Sequence, residues 1–277
     1  MKSGVYLRTS GRETMPSMIV EQARIAEAAG IDDLWVTDHI AIPPDDAEGS
    51  GGLYYDPLAI LAHLAAVTER VGLGTAVLVL PYRPALPTAK WVATIQALSG
   101  GRLLLGVGVG WMEAEFRAVG VPRNRRGAVA DATLEFLHRC FAADEVEANG
   151  QPFFFLPRPD RPPIIVGGAP PHAFRRAVQF GDGWMPMAND PATLAAPIKE
   201  LRAQAVAAGR PVPEVVVLTS LPFDDVDAAA ARVQAFADVG ATRLVQAGRY
   251  PDTATFARAM EALAGSVARS SASSGGA

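Results

Sequence analysis

The sequence predicts a single (β/α)8 barrel, and three observations support this prediction. Eight short apolar segments alternate with longer segments whose apolar residues recur at helical spacing. Most of the short segments are apolar at nearly every position, as parallel strands covered on both faces require. The 277 residues suit one barrel of about 250 residues, so we expect one domain over 1–265 and a disordered, Ser- and Gly-rich tail over 266–277. A doubly wound open sheet is the alternative, but the eight strand–helix units favour the barrel.

The predicted strands are the apolar segments, bounded by residues that favour turns. Residues 71–80 form the longest apolar run, which ends at Pro81. In chain order, strands are expected at residues 4–8, 33–37, 71–80, 102–109, 164–166, 183–187, 214–221 and 242–246.

The predicted helices begin and end at residues that favour helix termini. Gly30 suits the end of the first helix, Asp56 and Pro57 resemble an N-cap followed by a first helical residue, and SGG at 99–101 ends a later helix. Residues 149–163 interrupt the alternation with an aromatic run between prolines. In chain order, helices are expected at residues 17–29, 57–70, 88–98, 112–119, 126–141, 171–181, 192–208, 226–239 and 253–263.

The composition excludes several classes of protein. Hydrophobic residues make up 49% and charged residues 19% of the chain, which excludes a disordered protein. The net charge of −4 gives no indication of a nucleic-acid partner, and no apolar run reaches the roughly 20 residues of a membrane span. No signal-peptide core is present, so a cytoplasmic location is expected. The single Cys140 excludes a disulfide framework, and no histidines and carboxylates have metal-ligand spacing, so no metal is expected.

The segment after the second predicted strand carries the first candidate site residues. Active sites of (β/α)8 barrels lie at the carboxyl ends of the strands, and Asp38 and His39 stand at such an end. A histidine there can exchange a proton near neutral pH. An Asp–His pair that only holds its loop is an equally good interpretation of the position alone. The other histidines lie on predicted helices, where packing or solvent exposure is the better interpretation: His63, His138 and His172.

Glycine-rich segments follow the fourth and fifth predicted strands. Residues 106–111 read GVGVGW but lack the complete pattern of a dinucleotide-binding turn, so they indicate close approach of a ligand or of neighbouring backbone. Gly167, Gly168 and Ala169 precede a helix, whose free N–H groups and dipole favour a phosphate. An ordinary tight turn is the alternative interpretation of that segment.

Several short motifs occur in a fixed order along the chain. They are AEAAG at 26–30, LWVTDH at 34–39, TERVGLGT at 68–75, LSGGR at 98–102 continuing to GW at 110–111, IVGG at 165–168 and GDGW at 181–184. Each motif is weak alone. Together they resemble the bacterial luciferase-like monooxygenase superfamily, especially its branch of coenzyme F420-dependent oxidoreductases, over nearly all of residues 1–265.

The resemblance implies a fold, a cofactor and a set of site residues. Residues 149–163 become the insertion between barrel strands four and five, and a flavin or deazaflavin binds at the mouth of the barrel. His39 stands beside the ring as the acid–base catalyst, and a non-prolyl cis peptide bond between Ala76 and Val77 backs the ring. The cofactor contacts implied by the resemblance are those of Asp38, Ala76, Val77, Val109, Gly110, Gly167, Gly168 and Ala169.

One departure from the family bears on the substrate. Some sugar-phosphate dehydrogenases of the family carry a glutamate where this chain has Trp111, so we expect an apolar pocket rather than a sugar-phosphate site. Glu113 and Glu115 lie about one helical turn further on and are interpreted as structural. From loop position, we expect Tyr54, Arg83 and Trp111 to line the substrate pocket. The resemblance also implies a homodimer.

The cofactor is open between F420 and FMN. Lysine accounts for only three of the 25 basic residues, and an arginine-rich composition is typical of GC-rich actinobacteria, many of which make F420. We therefore favour an F420-dependent oxidoreductase that transfers a hydride between a deazaflavin and a small organic substrate. The alternative is an FMN-dependent monooxygenase supplied by a separate flavin reductase, and a third interpretation is a barrel that has lost catalysis.

Overall fold

A closed barrel of parallel strands forms the centre of the protein, which confirms the predicted fold class. The computed structural model describes residues 1–274. In chain order, the strands are β1 (Lys2–Tyr6), β2 (Asp33–Val36), β3 (Gly72–Thr75), β4 (Leu78–Val79), β5 (Leu103–Gly108), β6 (Glu145–Ala148), β7 (Gln151–Phe154), β8 (Ile164–Gly167), β9 (Gly183–Met185), β10 (Glu214–Thr219) and β11 (Arg243–Gln246). All of these strands except β6 and β7 belong to the barrel.

The third barrel strand is interrupted. The sequence predicts one strand over residues 71–80, but the structure divides it into β3 and β4, which flank residues 76 and 77. The hydrogen-bonded order is β3-β2-β1-β11-β10-β9-β8-β5-β4, and pairing of β3 with β5 closes the ring. The eight barrel positions are therefore filled by nine strands.

Helices surround the barrel and follow its strands. They are α1 (Pro16–Ala28), α2 (Pro57–Val67), α3 (Ala85–Leu98), α4 (Glu113–Ala118), α5 (Arg126–Ala142), α6 (His172–Phe180), α7 (Pro191–Ala207), α8 (Val226–Asp238) and α9 (Thr253–Ser274). The predicted start of α2 is confirmed, because the Asp56 carboxylate accepts from the backbone N–H groups of Leu58 at 2.9 Å and Ala59 at 3.2 Å. No helix within residues 1–274 is both long enough and apolar enough to cross a bilayer.

Two segments differ from the sequence prediction. The insertion between barrel strands four and five contains an antiparallel hairpin of β6 and β7, which begins at Glu145 rather than at residue 149. The helix α9 continues to Ser274, so residues 266–274 are helical and do not begin a disordered tail. The physical reason is packing on α8: Ser266 is fully buried, and the Ser270 hydroxyl donates to Gln234 Oε1 at 2.7 Å. Residues 275–277 of the expected tail lie outside the described residues.

Trp35 fills the interior of the barrel. Its buried side chain packs in a cluster with Ile165, Met185 and Val245, which come from other barrel strands. A Cβ atom built on Gly74 would lie 2.5 Å from the Trp35 ring, so β3 has to carry glycine at this position. Because the interior is packed, a ligand has to bind at the mouth, where the strands end.

Candidate active site

The residues expected to bind the cofactor meet at the carboxyl-terminal mouth of the barrel. They are Asp38 and His39 after β2, Ala76 and Val77 between β3 and β4, Val109 and Gly110 after β5, and Gly167, Gly168 and Ala169 at the end of β8. The peptide bond between Ala76 and Val77 is cis, as the resemblance implies. Val77 extends toward β8, since a Cβ on Gly167 would lie 2.8 Å from Val77 Cγ1.

A buried carboxylate holds His39. Glu115, on α4, is only 1% exposed, and its Oε2 lies 3.0 Å from His39 Nδ1 and accepts from the Tyr82 hydroxyl at 2.9 Å. Its Oε1 accepts from the backbone N–H groups of Ile40 at 2.6 Å and Ala41 at 3.1 Å. The interpretation of Glu115 as merely structural is therefore wrong, because this residue orients the candidate acid–base group.

The hydrogen bonds of Glu115 determine its charge and the tautomer of His39. Burial alone would raise the pKa of the Glu115 carboxyl, but bonds from His39, Ala41, Ile40 and Tyr82 together lower it to about 2. An ionised carboxylate only accepts hydrogen bonds, so His39 Nδ1 has to carry a proton. The other ring nitrogen, Nε2, has no partner within the described chain and is left to exchange a proton with a ligand.

Replacing Glu115 by glutamine is expected to reverse the tautomer of His39. The amide oxygen can still accept from Ile40 and Ala41, and the amide NH2 would then donate to Nδ1 and move the histidine proton to Nε2. Loss of the charged acceptor should lower the free energy of unfolding by about 1.5–3 kcal/mol. The tautomer is read from the imidazole ¹⁵N NMR spectrum, and stability from urea denaturation.

The control for this change is Glu113→Gln, which alters an exposed glutamate on the same helix.

Because the pKa of Glu115 is lowered from 4.5 in the folded protein, the contribution of its carboxylate to the free energy of unfolding is present in full above pH 4.5 and is lost as the pH falls towards 2. The stability difference between wild type and Glu115→Gln should therefore narrow over that range. An unchanged ¹⁵N spectrum in Glu115→Gln would contradict the positioning role.

Two aromatic rings flank His39. The Tyr54 ring lies 4.8 Å from the imidazole, and the Trp111 ring lies 6.3 Å away in an edge-on arrangement. Trp111 is 66% exposed and His39 is 19% exposed, so the imidazole opens to the mouth beside a largely uncovered indole. These contacts support the expectation that Tyr54 and Trp111 lie where a substrate would bind.

Asp38 and Arg83 form a clamp behind the site. The Asp38 carboxylate accepts from Val79 N–H at 2.9 Å and from both terminal nitrogens of Arg83, at 2.6 and 2.9 Å. Arg83 also donates to Asp56 at 2.7 Å. The clamp joins the end of β2 to β4 and to the start of α2. Because the Asp38 side chain is fully buried and Arg83 is paired with two carboxylates, we revise both roles from direct contact with cofactor or substrate to positioning.

The turn between β8 and α6 presents backbone N–H groups that have no acceptor within the described chain. Gly168 has a φ of +121°, a conformation that favours glycine, and its carbonyl accepts from the Trp184 indole at 2.8 Å. Within the described chain, the backbone N–H groups of Ala169 and His172 have no acceptor. These two donors stand at the N-terminus of α6, where the helix dipole also favours an anion. The turn thus fits the phosphate of a flavin or deazaflavin cofactor.

The architecture and the mouth residues define the protein as a (β/α)8-barrel enzyme. The model of the luciferase-like monooxygenase family matches residues 1–275, and the chain belongs to this family. Its members are oxidoreductases, monooxygenases among them, so the predicted class of enzyme is confirmed.

Two relatives show the range of similarity in sequence. The chain is 32% identical over 271 residues to an uncharacterized protein of Mycobacterium tuberculosis, covering 89% of this chain and 91% of that protein. It is 30% identical over 192 residues to the F420-dependent glucose-6-phosphate dehydrogenase of Amycolatopsis mediterranei, covering 65% of this chain and 56% of that enzyme.

Two solved structures share the fold. An F420-dependent secondary alcohol dehydrogenase in complex with an F420-acetone adduct has a TM-score of 0.82 at 18% identity, covering 96% of this chain and 98% of that one. The oxygenating constituent of 3,6-diketocamphane monooxygenase from Pseudomonas putida, in complex with FMN, has a TM-score of 0.78 at 15% identity, covering 97% and 98%. Proteins that share this fold thus include one in complex with an F420 adduct and one in complex with FMN.

Proposed function

We propose that the protein is an F420-dependent oxidoreductase that transfers a hydride between the deazaflavin and a small organic substrate. The observation that carries this proposal is the arrangement at the mouth: His39, fixed by Glu115, shares one end of the barrel with the anion site at α6. The similarity to an F420-dependent dehydrogenase and the arginine-rich composition support F420 over FMN.

Different residues of the chain would bind the cofactor phosphate, contact its ring and transfer the proton. The N–H groups of Ala169 and His172, with Gly168, would bind the cofactor phosphate, and Val77 and Gly110 would lie against its ring together with Ala76 and Val109. When bound, F420 supplies the carbon that accepts or donates the hydride. His39 Nε2 would take up or release the proton that a substrate heteroatom exchanges at the same time. Glu115 would keep Nδ1 protonated, so that Nε2 is the nitrogen available for this transfer.

A paired titration tests the cofactor. Purified protein is titrated with F420 and, separately, with FMN, and both dissociation constants are measured by fluorescence. We expect F420 to bind at least about tenfold more tightly than FMN, a difference of roughly 1.4 kcal/mol. Tighter binding of reduced FMN, with oxygen consumption on addition of a flavin reductase, would instead assign the FMN-dependent monooxygenase. Failure of both cofactors to bind would overturn both assignments.

The homodimer and the cytoplasmic location stay predictions. Sedimentation of the purified protein at micromolar concentration tests the first of them, and a monomer at every concentration would contradict it.

A further inference from the structure

A second feature of the mouth is a cavity next to the candidate catalytic histidine. It has a volume of about 180 Å³ and lies between the end of β1, the loop of residues 48–54 and the segment after β11. Tyr54 forms part of its wall, and the ring of Tyr54 lies 4.8 Å from the ring of His39. The cavity therefore adjoins the position where proton transfer is proposed.

Two arginines line this cavity without a carboxylate partner. Arg8 donates to the Gly49 carbonyl at 2.7 Å, and within the described chain neither Arg8 nor Arg249 forms an ion pair. By contrast, Arg83 at the same end of the barrel is paired with two carboxylates. Glu48 is the acid among the lining residues, and it is exposed and paired with neither arginine. The cavity wall thus carries a net positive charge in a chain whose net charge is −4.

Neutral donors complete the lining. The phenol of Tyr6 is half-buried in the wall, and burial, followed by the nearby Tyr54, raises its pKa. Tyr6 therefore stays protonated at neutral pH and can donate a hydrogen bond. Two guanidinium groups and a neutral hydroxyl donor together can bind an oxyanion, since hydrogen bonds from a charged donor to an oxyanion are stronger than those between neutral groups.

We propose that this cavity binds an oxyanion of the substrate, a carboxylate or a phosphate, and so places the rest of the substrate against His39. The proposal rests on the proposed function for the identity of the reaction, but the anion site itself does not depend on which cofactor binds. The sequence predicts an apolar substrate pocket. The proposal changes this to a pocket that is apolar beside Trp111 and positively charged beside Arg249.

The test measures binding of two probes, inorganic phosphate and acetate, at constant ionic strength by NMR. The wild type should show a saturable site for at least one probe, and the probe that binds identifies the type of oxyanion. In Arg249→Met, which changes an exposed side chain, the affinity of this site should fall at least about tenfold. Arg8→Lys keeps the charge but removes the fork of donors, and it should weaken the site as well.

Two controls separate the cavity from other anion sites. Arg24→Met removes an exposed positive charge from α1 and should leave both affinities within about twofold of wild type. Gly168→Asp blocks the turn before α6, so any phosphate bound there is lost while the cavity site is kept. Equal affinities in wild type and Arg249→Met, or no saturable site outside the α6 turn, would overturn the proposal. A loss of F420 or FMN affinity in Arg249→Met would also overturn it, because the cavity would then belong to the cofactor.

Discussion

Replacing His39 by alanine is expected to lower turnover by about 10²–10⁴-fold, the range typical of general acid–base catalysis. Cofactor affinity should stay within about tenfold, roughly 1.4 kcal/mol, because the phosphate and the ring are assigned to other residues. The imidazole opens to the mouth, and its Nδ1 is already engaged by Glu115, so Nε2 is the nitrogen that the change removes from the reaction. A binding titration and single-turnover kinetics with the first substrate found measure the two quantities separately.

The matched control is His63→Ala, which removes an exposed histidine on α2, away from the mouth. It should leave both turnover and affinity unchanged. If His39→Ala turned over as fast as the wild type, His39 would only hold its loop, and the proton would travel through water or through the substrate.

Gly168→Asp is expected to abolish tight cofactor binding, with a loss of at least about a hundredfold in affinity, or roughly 2.7 kcal/mol. The new carboxylate would stand at the N-terminus of α6, next to the N–H groups of Ala169 and His172 that have no acceptor within the described chain. It would repel a phosphate and occupy those donors. The fold should persist, because a Cβ at Gly168 would meet its nearest neighbour, Ala173, at 3.7 Å, an ordinary contact distance.

The φ of +121° at Gly168 makes any side chain there unfavourable, so a control has to separate strain from charge. Gly168→Asn introduces a side chain of the same size without the charge. It should bind the cofactor more tightly than Gly168→Asp and unfold at a similar temperature. Equal affinity of the two variants would show that the phosphate lies elsewhere.

The barrel and the position of its site could be predicted from the sequence because both follow from local patterns. Continuous apolar runs give buried parallel strands, and residues directly after those strands necessarily stand at the mouth. His39 and Gly168 were found in this way. The break in the third strand at Ala76 and Val77 came only from the family resemblance, since residues 71–80 are apolar apart from Thr75 and fit one continuous strand.

The features of the site and of the fold that could not be predicted depend on contacts between segments that are far apart in the sequence. Glu115 and His39 are 76 residues apart, and no spacing rule connects a carboxylate on a six-residue helix with an imidazole after another strand. Arg83 was expected in the substrate pocket from its loop position alone, and its pairing could not be predicted because the two carboxylate partners lie 45 and 27 residues away in the sequence. The helical end of α9 was missed because small residues such as Ser266 suit a tail equally well until their packing on a neighbour is known.

The bonds from Ile40 and Ala41 to Glu115 also fix the start of the segment of residues 40–55 that follows His39. This segment ends at Tyr55, whose N–H donates to the Thr9 carbonyl at 3.0 Å. Between its two ends, the Gly49 carbonyl accepts a hydrogen bond from Arg8. Glu115 therefore joins the imidazole of His39 and the first residues of this segment through one set of hydrogen bonds. One buried carboxylate thus holds both the imidazole and the backbone that follows it, so the contacts that orient the candidate acid–base group come from the chain itself.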